Sequence, residues 1–142
     1  MSTRAIIAYR TEPERWKGVW NHWSGHTQHL GQELITRVAT FDGELKRLVG
    51  QYIDRCPEGW SDFRNGERSE DPCGFLHGSI TEHGASVDEG IGLDTHYLYV
   101  FDLEDRSLSV FESSPTPVKP FGRIVFADDG GATPSQLPSV QE

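Results

Sequence analysis

The chain has 142 residues, 35% of them hydrophobic, which suits a single domain able to bury roughly two-thirds of its unfolded surface. Its 22 acidic and 13 basic residues give a net charge of −9, which repels phosphate backbones at long range and argues against general DNA or RNA binding. No apolar run is long enough to span a bilayer, and Met1–Arg10 lacks the charged and apolar regions of a signal peptide. A cytoplasmic location is expected, with Cys56 and Cys73 reduced.

Arg4–Arg10 reads as a first strand, with Ala5, Ile7 and Tyr9 on one face and Ile6 and Ala8 on the other. Thr11–Arg15 is a polar connection of hairpin length. Lys17–Trp23 reads as the returning strand, with Gly18, Trp20 and His22 on one face and Val19, Asn21 and Trp23 on the other. Thr27 has the side chain of an N-cap for a helix running to about Phe41, along which Leu30, Leu34, Ile35, Val38 and Phe41 form the apolar stripe. Asp42 is expected to cap a second helix, whose Leu45, Leu48, Val49, Tyr52 and Ile53 follow the i, i+3, i+4, i+7, i+8 pattern. Gly43 leaves open whether these are two helices or one bent helix. Pro57 and Gly59 stop the second.

From Pro57 to Asp94 the chain is rich in Gly, Asp and Glu, and only Gly74–Ile80 offers a strand pattern, with Phe75, His77 and Ser79 on one face. Thr95–Asp102 and Leu108–Glu112 form the clearest hairpin, joined by Leu103–Ser107. In its first strand Tyr97, Tyr99 and Phe101 alternate with Leu98 and Val100, so both faces are apolar, as in a strand covered on both sides. Phe121–Phe126 adds a last strand, and Ala127–Glu142 is a Gly/Pro/Ser-rich tail. The expected fold is one α+β domain over residues 1–126, an antiparallel sheet with two helices packed on one face, followed by a flexible tail over 127–142.

Chemistry concentrates between Trp16 and Gly31, which hold three of the four tryptophans and three of the six histidines. His22, His26 and His29 are spaced four and three apart; if they converged with His77 or Cys73, they would suit zinc or another divalent transition metal. The spacing matches neither a HExxH nor a paired-cysteine motif. Strand alternation splits Trp20 from Trp23, so at most one of them faces a given ligand while the other packs in the core. Asn21–Gly25, at a strand end before a helix, offers turn N–H groups to an anion, with His22 and His26 beside it. Cys73 and His77 on one strand would stand about 13 Å apart, beyond the reach of a nucleophile–base pair. Glu67, Glu70, Asp71, Asp88 and Glu89 read as solvated loop charges, and Gly90-Ile91-Gly92 lacks the third glycine of a dinucleotide loop.

Several segments together resemble a family of small proteins found widely in bacteriophages and in bacterial, often mobile, genomes. They are Thr3-Arg4, His22-Trp23-Ser24-Gly25 with Leu30-Gly31, Cys73 with His77, and Tyr97-Leu98-Tyr99-Val100-Phe101. Ser24 stands where that family usually has Asp, His26-Thr27 replace Tyr-Pro, and Gly78-Ser79-Ile80-Thr81 replace an Arg/Asp-rich run. The resemblance implies an origin and a fold more than a reaction, and it raises the interest of His22 and His77, which come from different elements and could meet in space.

These readings point to a small cytoplasmic binding protein of phage or mobile-element type, without cofactor. It is expected to engage a protein or small ligand through Trp20, Asn21, His22, Ser24, Gly25, His26 and His77, with the loop after Trp60 beside them. The alternative is a metal-dependent hydrolase acting on a nucleotide or related substrate, with His22, His26, His29 and His77 as ligands. A third reading is a structural subunit that self-associates through an exposed edge at Leu108–Glu112.

Overall fold

The computed structural model describes residues 3–69, 74–81, 84–88, 95–112 and 119–126. Cys73, Glu70, Asp71, Glu89, Gly90–Gly92 and the 127–142 tail lie outside them. Nine strands are described: β1 (Ala5–Glu12), β2 (Arg15–Asn21), β3 (Trp60–Asp62), β4 (Glu67–Arg68), β5 (Leu76–Thr81), β6 (Gly84–Val87), β7 (Tyr97–Asp102), β8 (Ser107–Glu112) and β9 (Lys119–Val125). They form one sheet in the order β4-β3-β2-β1-β7-β8-β9, with β5 paired to β2 beside β3, and β6 paired to β5. The fold is mixed α/β, with a large, mostly antiparallel sheet and two helices. No helix among the described residues is long and apolar enough to cross a membrane.

The pairing at the centre of the sheet is parallel, where an antiparallel sheet was expected. β1 runs alongside β7 in register from Ala5↔Tyr97 to Tyr9↔Phe101. Parallel neighbours need a long crossover, and the helices and short strands between β2 and β7 provide it. β3 also meets β2 in parallel, at Asn21↔Trp60. The outer edge of β2 is shared: Arg15–Gly18 pair with β5, and Asn21 with β3.

Period-two alternation along β1 feeds two separate cores. Ala5 and Ile7 pack with Val19, Tyr99, Phe101, Leu108, Val110 and Ile124, in a cluster that also contains Leu30, Leu34, Val38, Leu45, Leu48 and Ile53 of the helical segments. Ile6 and Ala8 pack with Trp16, Trp20, Leu76, Ile80, Leu98, Val100 and Phe111, a cluster built from strand residues alone. β6 and β9, at the two ends of the pairing path, come back into contact, so the sheet curls around this second cluster. The expected faces of β1, β2 and β7 agree with this division.

The helical region differs from expectation at its ends. His26, extended at φ −60° and ψ 153°, takes the N-cap position expected for Thr27, and no side chain caps the helix. Thr27–Gly31 form a π-helical turn that leads into α1 (Gln32–Thr40). Asp42 does not cap the second helix. It adopts φ +55° and Gly43 φ +78°, a left-handed reversal that makes two helices of one stretch. α2 (Leu45–Val49) then continues as a second π-helical turn over Gly50–Asp54.

The expected loop from Pro57 to Asp94 contains β3, β4, β5, β6 and a 3-10 turn at Phe63–Asn65. β8 carries β9 on its outer side, from Ser107↔Val125 to Glu112↔Lys119, so Leu108–Glu112 is an interior strand and not an exposed edge.

One glycine sets the tightest contact of the second core. A Cβ at Gly78 would collide with the Ser86 carbonyl and lie 2.5 Å from the Trp16 ring. The fully buried Trp16 lies against Gly78, and its indole N–H donates to that same carbonyl at 3.1 Å. Gly78→Ala is therefore expected to lower stability by about 1–3 kcal/mol through overpacking, read as a lower urea midpoint with an unchanged slope.

Candidate functional site

The Asn21–His26 segment joins the end of β2 to the first helical turn, and its backbone is fixed from four directions. His22 N–H donates to the Trp60 carbonyl at 3.1 Å and Trp23 N–H to the Ser61 carbonyl at 2.9 Å. Gly25 N–H donates to the Thr3 carbonyl at 2.9 Å, and Leu30 N–H to the Ser24 carbonyl at 3.1 Å. Ser24 takes a left-handed φ of +60°, a conformation that costs a non-glycine residue about 1–2 kcal/mol and persists only where neighbours enforce it. Gly25 has a steric reason: a Cβ there would lie 2.6 Å from the Thr3 carbonyl oxygen and 2.9 Å from the Ala5 Cβ.

Two of the expected ligand residues are structural. Trp20 is 2% exposed and belongs to the second core. Asn21 is fully buried. Its side-chain N–H donates to the Trp23 carbonyl at 2.7 Å, and its Oδ1 accepts the Phe63 N–H at 2.8 Å. That amide ties the turn to the 3-10 segment after β3 and spends its hydrogen bonds internally.

Trp23 is the outward-facing member of the segment. It is 46% exposed, whereas Trp16, Trp20 and Trp60 are buried. Its ring meets His22 edge-to-face, with centroids 4.8 Å apart. The expectation that the loop after Trp60 lies beside this turn agrees with the two hydrogen bonds to Trp60 and Ser61.

The histidines divide. His26 shares a 2.7 Å hydrogen bond with the Thr3 hydroxyl, and its ring lies 6.0 Å from His29 and 5.9 Å from Tyr97. His77 does not join them. It is exposed on β5 opposite Lys17, whereas His22 lies five positions further along β2, about 17 Å by strand rise. Strand register, which spacing along the chain does not reveal, separates them. Among the described residues no group of three or more His, Cys, Asp or Glu side chains is placed to hold a metal ion, so the set His22, His26, His29 and His77 does not assemble. Cys56 is a buried free thiol donating to the Gln51 carbonyl at 3.4 Å, and burial pushes its pKa up.

Sequence reasoning missed Tyr99. Its hydroxyl, deep in the first core, donates to the Gly25 carbonyl at 2.6 Å and so clamps the turn from beneath. The signal was present, since a tyrosine in a strand apolar on both faces must find an acceptor when buried. Burial, reinforced by neighbouring Tyr97, raises the Tyr99 pKa well above the ordinary phenol value.

Two expectations follow. Asn21→Ala leaves the buried Phe63 N–H without its acceptor and should cost about 1–3 kcal/mol in denaturant unfolding. Tyr99 is neutral in the fold with a raised pKa, so its contribution is fully present below its unfolded pKa of about 10 and is lost as pH rises above it. Tyr9, raised to about 12 by burial and by Asp54, adds a second alkaline component. Stability measured from about pH 8 to 11 should therefore fall at the alkaline end, and Tyr99→Phe should flatten that fall.

Compared with known proteins, the chain matches no protein-family model, no curated protein and no solved structure.

Proposed function

We propose that this chain is a small, non-enzymatic cytoplasmic binding protein of phage or mobile-element type, and that it engages a protein partner through the turn from Trp20 to His26. One observation carries this reading: Trp23 presents an exposed indole from a backbone that is pinned on both sides. Exposed aromatic anchors on rigid supports contribute most of the energy of many protein interfaces, because little conformational freedom is lost on binding. Bonds from His22 and Trp23 to β3, the Asn21 amide and the Tyr99 clamp supply that rigidity. His22 and Ser24, both half-exposed, flank the indole as polar neighbours.

The two helices pack on one face of the sheet in this reading. The membership of the first core cluster supports it, because that cluster holds the apolar residues of both helices. The other face closes on itself around Trp16 and Trp20, and the end of β2 is left as the presented surface. The net charge of −9 favours a protein or small ligand over nucleic acid or an anionic membrane. The metal-dependent hydrolase has no geometric support among the described residues.

Affinity capture from cells of the source organism, quantified for wild type against Trp23→Ala, tests the reading. The expected outcome is a partner retained by wild type and lost by Trp23→Ala, with folding stability changed by no more than about 0.5 kcal/mol, as for an exposed site. Partner binding should also shield tryptophan emission from iodide, since Trp23 is the exposed indole. Equal capture by both proteins, or unchanged quenching in the complex, overturns the proposal.

A further inference from the structure

At the end of β7 remote from the turn, the charge pattern of the molecule inverts. Between α2 with its π-helical extension and the β7–β8 turn lies a cleft of about 850 Å³. Lys46, Arg47, Arg55 and Arg106 line it against a single carboxylate, Glu44. In a chain with 22 acidic and 13 basic residues, four cations around one cavity are a local reversal of sign. The walls between them are apolar, supplied by buried Leu45 and half-buried Leu103. The size lies within the range of small-molecule sites.

We propose that this cleft binds a small polyanion: a multiply charged phosphoryl-type group joined to a compact apolar body, the chemistry of a nucleotide or another phosphorylated metabolite. Among the described residues Lys46 and Arg55 make no ion pair. Arg47 reaches Glu44 at 3.1 Å, an exposed contact of little worth that an incoming oxyanion can displace. The cations are held by backbone placed in advance. Arg55 N–H donates to the Gly50 carbonyl at 3.1 Å, ending the π-helical turn beside the cavity. Arg106 sits at φ +53° in the β7–β8 turn, and its carbonyl accepts the Phe126 N–H at 2.8 Å. Such a π-helical insertion often marks a functional site.

Gly50 is the second, independent observation. It lines the cleft with ordinary helical angles, φ −60° and ψ −45°, and a Cβ there would meet nothing within 4 Å. Neither backbone strain nor crowding calls for glycine, and alanine would favour the helix. What glycine preserves is open volume between Arg55 and the β7–β8 turn.

Titration calorimetry with inorganic pyrophosphate, a nucleoside diphosphate and the uncharged nucleoside tests this at two salt concentrations. Both anions should bind, the nucleotide more tightly because its base covers half-buried Leu103, and the nucleoside should not. Affinity should fall with salt. The double substitution Lys46→Gln and Arg55→Gln should weaken binding by about tenfold or more. Gly50→Leu should project a side chain into the cleft beside Arg55 and weaken binding, with a melting temperature at or above that of wild type. Trp23→Ala should leave anion binding unchanged, which separates this site from the partner surface. Absence of binding by both anions at about 1 mM, unchanged affinity in Gly50→Leu, or preference for an RNA oligomer over the nucleotide would overturn the proposal.

Discussion

Every layer of the structure depends on the burial of β1. Ala5, Ile6, Ile7 and Ala8 are all inaccessible to solvent, a run of four with no polar residue among them. A strand buried on both faces needs hydrogen-bonding neighbours on both edges, and β2 and β7 supply them. Because successive side chains point to opposite faces, the same four residues seed both cores. Each face carries one small residue beside a larger one, Ala5 with Ile7 and Ala8 with Ile6, which lets neighbouring chain approach closely. Gly25 packs on the Ala5 Cβ and Gly18 on the Ala8 Cβ.

The two candidate surfaces stand at opposite ends of this frame. The Asn21–His26 turn gathers where β1 and β7 begin and β2 finishes, so one end of three adjacent strands fixes its backbone. The basic cleft lies where β7 turns into β8 and the second helical segment passes over. Both places combine a π-helical turn with a left-handed non-glycine residue, Ser24 at one end and Arg106 at the other. Local geometry departs from regular structure at these two ends, whereas the strands between them keep an unbroken alternation from Ala5 to Ala8 and from Tyr97 to Phe101.

Elements with a strong period were legible in the sequence. The alternation of β1 and β7 gave their faces correctly, and the stripe Leu45, Leu48, Val49, Tyr52 and Ile53 located the second helix. The short strands were not, because β3, β4 and β6 have two to four residues, too few to display a period. Their strand character comes from partners in β2, β3 and β5 rather than from their own pattern. The candidate site was legible in place but not in roles. Asn21 reads as a ligand residue because it is polar beside histidines, yet its amide is consumed inside the protein. Convergence of His22 with His77 turned on the register of β5 against β2, which no single sequence displays. The cleft went unseen because Lys46, Arg47 and Arg55 occupy the outer face of an amphipathic helix, where cations are ordinary, and Arg106 arrives from a turn about fifty positions later.

The parallel pairing of β1 with β7 also governs how the protein comes into being. Tyr97 is made 92 positions after the residue it pairs with, Ala5. At ordinary ribosomal speeds that interval is on the order of ten seconds. Over that time β1 has β2 on one edge and no permanent neighbour on the other, while its apolar faces await both cores. A hairpin alone is marginally stable in water, so the nascent chain carries an adhesive ribbon until its late partner emerges. Contacts of such long sequence separation slow folding. The same strand that makes the finished molecule cohesive is thus its most exposed part during synthesis.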